Sequence, residues 1–210
     1  MPYATSLEFA VHNLPTTGFS ELQASYDRLP PDPYITGTFR QRRFSHFLGP
    51  VNALKRLGHM AFVQSKTVNQ LAGGMQRHFQ ELEDGFVSLP AFQTMASAYV
   101  DFFQFDPRER EIGVHQIRIL CSSDFQGTPA PEGIHQDGFD YIGIFCISRR
   151  DILGARTHIY RAKDQPSIFS RELQPGEAIF ANDRRVFHFA EAVRPSGSGV
   201  GTWDLMVITA

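Results

Sequence analysis

A histidine and an aspartate stand two residues apart in the segment GIHQDGFDY, residues 133–141. In an extended strand, side chains two residues apart lie on the same face. His135 and Asp137 can therefore present an imidazole and a carboxylate side by side to one cation. The chain has 8 histidines among 210 residues, so such a pair also arises by chance, and alone it is a weak signal.

A second histidine strengthens this signal. His188 follows a turn and stands between Phe187 and Phe189 in a segment with the character of a strand. Because successive side chains of a strand point to opposite faces, His188 faces the interior if the two phenylalanines pack outside. A core histidine bonded to a backbone carbonyl is the alternative that this pattern leaves open.

Two histidines and one carboxylate form the facial triad that holds non-haem Fe(II). The triad occupies one face of an octahedron, so the other positions stay open for a bidentate co-substrate and dioxygen. The two cysteines, Cys121 and Cys146, stand in other, apolar segments. We therefore take His135, Asp137 and His188 as the candidate metal ligands and catalytic residues.

Short apolar or alternating segments follow residue 112 and predict strands. They are GVHQIRILC, YIGIFCIS, RTHIYRAK, SIFSREL, EAIFAN, VFHFAEAV and TWDLMVIT. No helical periodicity separates them, so the pattern predicts a sandwich or barrel. The earlier segment FRQRRFSHF, residues 39–47, is extended in character, and its Arg40, Arg42 and Arg43 are either anion contacts or a solvated edge.

Two earlier segments have apolar residues at helical spacing. The first contains Val68, Leu71, Met75, Phe79 and Leu82. The second, near 90–105, begins with Pro90 and contains Phe92, Met95, Tyr99, Phe102 and Phe103. We predict an α+β, mainly β protein with one domain, 1–210. Residues 1–111 form a helical and extended support region, and 112–210 form a jelly-roll core that carries the metal site.

Composition restricts the class of function. The net charge of -2 gives no basic field for nucleic acid or an anionic membrane. The amino-terminal residues have no basic and apolar pattern of a signal peptide, and no long apolar run predicts a membrane span. Two cysteines without metal spacing fit a reducing compartment. We expect a cytoplasmic protein that acts on a small molecule, and a homodimer is left open.

The chain resembles the iron- and 2-oxoglutarate-dependent dioxygenases. The resemblance runs from about Arg40 to Thr209 and depends on GIHQDGFDYIGIFCISRRDILGARTHIY, PGEAIFANDRRVFHF, the terminal DLMVIT and FRQRRFSHF. It is strongest to the bacterial branch of free-amino-acid (isoleucine-type) hydroxylases and biofilm-stress-associated proteins. The resemblance implies a double-stranded β-helix, iron held by His135, Asp137 and His188, 2-oxoglutarate and dioxygen as co-substrates, and hydroxylation of a free L-amino acid.

One position departs from that family. Its members bind the distal carboxylate of 2-oxoglutarate with a basic residue, and this branch has Arg-Asp at the start of the last strand. Here Trp203-Asp204 stands there, and Trp cannot bind a carboxylate with two parallel bonds. We expect a substitute among four residues, which are Arg194, Arg118, Arg161 and Gln116.

Other residues are expected to support the site. A dry wall is predicted from Phe145, Phe180, Phe187 and Phe189. His115 and His158 are taken as wall residues, and Asp183 with its two following arginines as an ion-pair set that stabilises a turn. Two rival functions stay open: a cupin-type metal protein that does not use 2-oxoglutarate, and a non-catalytic binding module. The missing His-x-His motif argues against the cupin.

Overall fold

The computed structural model describes residues 7–66 and 73–210. The helices within these ranges are α1 Phe19–Tyr26, α2 Asp84–Val87 and α3 Pro90–Phe103, with one 3-10 turn at Val51–Ala53. The first strands are β1 Phe9–Asn13, β2 Arg40–Leu48, β3 Lys55–Arg56, β4 Ile112–Cys121, β5 Tyr141–Arg150 and β6 Ile152–Gly154. The later strands are β7 Arg156–Tyr160, β8 Phe169–Glu172, β9 Glu177–Asn182, β10 Phe187–Ala190, β11 Val193–Pro195 and β12 Gly201–Thr209.

The strands form a large sheet and two small ones. The large sheet has the order β1-β9-β5-β12-β4-β2-β3, and the small sheets have the orders β10-β7-β8 and β11-β6. All the strand pairs are antiparallel. This arrangement confirms the mainly β, jelly-roll prediction. Strands β1, β2 and β3 of the support region extend the large sheet at both edges.

The large sheet is buried on both faces, which explains the continuous apolar segment of β5. Phe145 and Ile147 face a core formed with the helices. Ile144 and Cys146, which alternate with them, face a second core inside the jelly roll. Strands with two buried faces read as uninterrupted apolar runs, because neither face needs polar side chains.

The helices cover the outer face of the large sheet. The prediction of a helix near 90–105 is confirmed by α3, which begins at Pro90 and ends before Gln104, whose φ of 54° is left-handed. The α3 hydroxyl of Tyr99 donates to the carbonyl of Tyr141 over 2.9 Å. The α1 hydroxyl of Tyr26 donates to the carbonyl of Leu205 over 2.8 Å. These bonds fix both helices on the sheet.

The helix predicted from residue 67 is wrong in its described part. Val68 and Leu71 lie outside the described residues, while 73–83 form turns, a bridge and extended chain. Arg77 pairs with Phe62 in an antiparallel bridge. Phe79 is 2% exposed in a cluster with Phe44 and Phe62. Packing against β2 therefore overrides the helical spacing.

None of the helices in 7–66 and 73–210 is both long and apolar enough to span a membrane.

Candidate metal centre

A cavity of about 580 Å³ contains the three candidate metal ligands in its wall. The large sheet lines one side through β2, β4 and β12, and β10 and the segment before β5 line another. A volume in this range suits small ligands. His135 and His188 are 8% and 7% exposed, so the donor atoms lie in a largely dry environment.

Backbone pairing brings the two histidines together. The amide N–H of His135 donates to the carbonyl of His188 over 3.0 Å, and the reverse bond is 2.8 Å long. Residues that exchange both bonds in an antiparallel bridge place their side chains on one face. The two imidazole rings are 4.2 Å apart between centroids. Two main-chain hydrogen bonds thus bring the two histidines together although they are far apart in the sequence.

Hydrogen bonding and burial set the imidazoles for metal binding. His135 Nδ1 lies 2.8 Å from the carbonyl oxygen of Gly133. A proton on Nδ1 satisfies that oxygen and leaves the lone pair of Nε2 for a metal. Burial, followed by the neighbouring His135, holds the pKa of His188 well below its usual value. His188 is therefore neutral, which is the state that ligates metals.

The carboxylate of Asp183 holds the segment that carries Asp137. Its oxygens accept N–H bonds from the backbone of Asp137, Gly138 and Phe139 over 3.1, 2.7 and 3.2 Å. Gly138 has a φ of 90°, a conformation that glycine adopts without strain. Arg184, which was expected to pair with Asp183, pairs with Asp140. Asp183 therefore stabilises this turn by accepting hydrogen bonds from its backbone N–H groups.

Burial, and then the charge of Asp137, raise the pKa of Asp183 to about 7. Asp183 Oδ1 lies 3.9 Å from His188 Nδ1, so this carboxylate stands behind two of the three candidate ligands. Gln64 Nε2 donates to the carbonyl of Asp137 over 3.0 Å and lies 3.4 Å from its Oδ1. Such outer contacts orient metal ligands.

The donor set fits a divalent metal ion. One candidate ligand atom from each of His135, Asp137 and His188 lies within 4.8 Å of the others. Asp137 Oδ1 is 3.8 Å from His135 Nε2, and Asp137 Oδ2 is 3.7 Å from His188 Nε2. Two imidazole nitrogens and one carboxylate on one side of an open cavity match the facial triad. The structure thus brings together the three residues that the sequence singles out.

The four residues expected to bind 2-oxoglutarate do not line this cavity. Arg118 is held under α1 by Asp204 at 2.6 Å and by Asp27 at 2.6 Å. Gln116 Nε2 donates to Ser25 Oγ of α1 over 2.7 Å. Even-numbered residues of β4 face the helices, and odd-numbered ones face the cavity. The shared face of Gln116 and Arg118 is therefore the outer one.

The other two lie on the surface. Arg161 forms an exposed ion pair with Glu8 at 2.8 Å. Arg194 is exposed on β11 and lines a separate depression with Leu153 and Glu191. The four expected side chains thus lie away from the cavity that contains the triad.

Besides the triad and the arginines, two buried polar groups in the cavity wall are without hydrogen-bond partners among the described residues. They are Thr157 Oγ1 on β7 and Trp203 Nε1 on β12. Thr157 is 2% exposed and Trp203 is 1% exposed, so they form its deep wall. The indole also lies close enough to Cys146 to oppose the rise, to about 12, that burial causes in the pKa of that thiol.

The predicted phenylalanine wall is revised. Phe189 lines the cavity, whereas Phe145 and Phe180 pack under α3 in the helical core. Phe187 lies outside, with Lys163 Nζ 5.5 Å from its ring centroid. His115 does line the cavity, as expected, and His158 instead pairs with Glu191 at 2.9 Å. Strand alternation alone cannot say which buried face holds the cavity.

Sequence reasoning missed three contributors. Arg77 belonged to the predicted helix, so its approach to the site through the Phe62 bridge had no sequence signal. No sequence pattern around Asp183 indicates that its carboxylate accepts backbone hydrogen bonds. Glu132 had a local signal: it precedes His135 by three residues, and its Oε1 lies 3.4 Å from His135 Nε2.

Comparison with known proteins agrees with this geometry. Residues 23–209 match the family described as 2OG-Fe dioxygenase. The chain is 23% identical over 233 residues to L-isoleucine-4-hydroxylase of Bacillus thuringiensis, with 97% of this chain and 95% of that protein covered.

Two solved structures share the fold. A bsmA homolog from Methylobium petroleophilum PM1 superposes with a TM-score of 0.83 at 25% identity, over 98% of this chain and 88% of that one. IDO from Bacillus thuringiensis gives a TM-score of 0.81 at 18% identity, over 98% and 94% of the two chains.

Proposed function

The chain belongs to the 2OG-Fe dioxygenase family, and from this premise we propose that it hydroxylates a free L-amino acid. It is an Fe(II)- and 2-oxoglutarate-dependent oxygenase. Its cofactor and co-substrates are Fe(II), 2-oxoglutarate and dioxygen. Family membership sets aside the cupin-type and non-catalytic alternatives. When bound, these groups supply the oxidising power that places one oxygen atom on a substrate carbon and converts 2-oxoglutarate to succinate and carbon dioxide.

His135, Asp137 and His188 are the proposed metal ligands. The single observation that carries the proposal is that their donor atoms converge within 4.8 Å on one wall of the cavity. The Gly133 carbonyl fixes the tautomer of His135, and Asp183 fixes the backbone of Asp137. These contacts leave the cavity side of the triad free for two small molecules.

We place the distal carboxylate of 2-oxoglutarate against Thr157 and Trp203. The hydroxyl of Thr157 is buried without a partner among the described residues, and a buried unpaired donor costs free energy until an acceptor binds it. The indole N–H of Trp203 lies close to the Cys146 thiol, a weak acceptor that a carboxylate can replace. Trp203 also stands where the family branch has its arginine. Arg40 lines the same cavity and shares a cross-strand row with Trp203 through Ile119, so a guanidinium that is paired with Asp32 at 2.7 Å also lies beside this wall.

The amino-acid substrate is supported by likeness and by charge. The Bacillus thuringiensis relative that covers nearly the whole chain is an L-isoleucine-4-hydroxylase. The cavity also contains both signs of charge near the triad, with arginines on β2 and Glu132 beside His135. A free amino acid is a zwitterion, so its carboxylate and its ammonium group need partners of opposite charge in one cavity. Two buried free cysteines fit the proposed cytoplasmic location, and a homodimer stays a prediction.

The test is a turnover assay on a panel of free amino acids. Anaerobic protein with Fe(II) and 2-oxoglutarate should give the weak visible charge-transfer band of the chelate. On admission of air, one or more amino acids should release succinate in step with a product heavier by one oxygen atom. Asp137→Ala should lose both the band and the product. If no amino acid raises succinate release above the rate without substrate, the proposed substrate class is wrong.

A further inference from the structure

Two arginines in the cavity wall have buried guanidinium groups. Arg42 of β2 is 7% exposed, and Arg77 is 4% exposed. Arg42 Nη2 lies 2.7 Å from His115 Nδ1, and Arg77 Nη2 donates to Gln64 Oε1 over 2.7 Å. The Nε of each is buried and has no hydrogen-bond partner among the described residues. Both therefore have donor capacity left inside the cavity.

Neither arginine has a carboxylate within 4.0 Å in the described part of the chain, whereas Arg40 is paired with Asp32 at 2.7 Å. Aromatic rings hold them instead. The Cζ of Arg42 lies 4.4 Å from the ring centroid of Phe79, and the Cζ of Arg77 lies 4.7 Å from that of Phe62. Cation–π contacts offset only part of the cost of burying two like charges.

These charges persist at neutral pH. Burial, and then the charge of Arg40, lower the pKa of Arg42 to about 9, which leaves it cationic at pH 7. Burial also lowers the pKa of Arg77, and the negative charge of Glu132 opposes that change. Arg77 and Glu132 therefore interact across one cavity, and the arginine pair lacks an anion.

We infer that Arg42 and Arg77 bind the carboxylate of the substrate, while Glu132 binds its ammonium group. The inference rests on the proposed function and assigns the residues that select an α-amino acid. Arg77 is joined through Gln64 to Asp137, so its guanidinium lies one side chain away from a metal ligand. Glu132 Oε1 is 3.4 Å from His135 Nε2, beside another ligand.

The position of Arg77 favours substrate over 2-oxoglutarate. Met75, two residues before Arg77, lines the same cavity and is 46% exposed, so this segment leads from the mouth of the cavity to the buried Arg77. Thr157 and Trp203 lie in the buried wall. A co-substrate that binds first occupies the wall formed by Thr157 and Trp203, and the substrate then meets the arginines between that wall and the mouth.

The test compares binding of functional-group analogues to variants. Arg42→Met and Arg77→Met remove the charge and keep the apolar stem. Arg43→Met is the matched control, because Arg43 faces the other side of β2 and pairs with Glu83 at 3.5 Å. Anaerobic protein with Fe(II) and 2-oxoglutarate is titrated with L-isoleucine, with L-isoleucinamide and with 3-methylpentanoate, and the perturbation of the charge-transfer band gives each Kd.

In the wild type, L-isoleucine should bind more tightly than either analogue. Each arginine variant should weaken L-isoleucine at least about tenfold, since a hydrogen bond to a charged group is lost. In these variants the Kd of L-isoleucine should equal that of L-isoleucinamide, which lacks the carboxylate. In Glu132→Gln the Kd of L-isoleucine should equal that of 3-methylpentanoate, which lacks the ammonium group. Arg77→Lys should bind with intermediate affinity. The Kd of 2-oxoglutarate should stay within about twofold of wild type throughout.

Contrary results separate two failures. If the arginine variants weaken 2-oxoglutarate and not L-isoleucine, the carboxylate bound there is that of the co-substrate, and the inference is overturned. It is also overturned if the variants bind both ligands as the wild type does. If wild-type protein binds none of the amino acids in the panel, the proposed function itself fails. Retention of Fe(II) by each variant verifies that it is folded around the metal site.

Discussion

Replacement of Asp183 by asparagine tests how the protein orients the candidate metal ligands, because the substitution leaves all three ligand side chains unchanged. The Asp183 carboxylate accepts three backbone N–H bonds, one at Oδ1 from Asp137 and two at Oδ2 from the next two residues. In Asp183→Asn the amide oxygen can replace only one carboxylate oxygen, and the amide N–H₂ then faces a backbone donor. If the oxygen keeps the two bonds at Oδ2, the bond to Asp137 is the one lost.

The magnitude follows from the charged bond that is lost. A hydrogen bond to a charged group contributes about 1.5–3 kcal/mol, and removal of a nearby negative charge also weakens attraction for a cation. Both losses act against metal binding. About 2 kcal/mol corresponds to a roughly thirtyfold weaker Fe(II) affinity, which is within the range of outer-contact mutations at metal sites.

The assay is anaerobic Fe(II) titration against a chelator of known affinity at pH 8, above the pKa of about 7, so that Asp183 of the wild type is ionised. Asp140→Asn is the matched control, because Asp140 lies in the same segment but forms surface ion pairs with Arg184 and Arg110. The control should bind Fe(II) within about twofold of wild type, since exposed ion pairs contribute little. Wild-type affinity in Asp183→Asn would refute the reasoning, and so would an equal loss in the control, because the effect would then be general loosening of the segment.

Three more predictions follow from the site. His135→Ala should abolish Fe(II) binding and turnover, while His115→Ala should keep Fe(II) because that imidazole contacts Arg42 and not the metal position; equal loss of metal in both variants would contradict the ligand assignment. Thr157→Val should raise the Kd of 2-oxoglutarate several-fold. It should also stabilise the ligand-free protein by about 1 kcal/mol in urea unfolding, because it removes a buried hydroxyl without a partner among the described residues. An unchanged Kd would show that the distal carboxylate does not bind at Thr157. Mn(II) at a hundredfold excess over its Kd should raise the melting temperature by about 5–10 °C, since a ligand of the folded state adds about 2.7 kcal/mol; no shift, or the same shift in Asp137→Ala, would argue against a metal at the triad.

The β core was predictable because its signals are local. Alternating or continuous apolar segments correspond to β4, β5, β9 and β12 almost residue for residue. The helix near 90–105 was also found from its spacing and its proline. The segment from residue 73 was not, because Phe79 satisfies helical spacing equally well in an extended chain that packs on β2.

The candidate metal triad could be located from the sequence, whereas the face on which Gln116 and Arg118 lie could not, for a physical reason. The residue types around His135 and their spacing indicate a metal site from the sequence alone. The face on which Gln116 and Arg118 lie depends on which side α1 covers, and β4 is buried on both sides. Arg77 reaches the cavity only through the bridge with Phe62. Such contacts are set by tertiary packing.

Anomalous diffraction from crystals grown with Mn(II) tests the central claim most directly. The account predicts one strong peak in the cavity, at about 2.0–2.3 Å from Nε2 of His135, a carboxylate oxygen of Asp137 and Nε2 of His188. A peak that misses any one of these three side chains, or a cavity without a peak at saturating Mn(II), would contradict it.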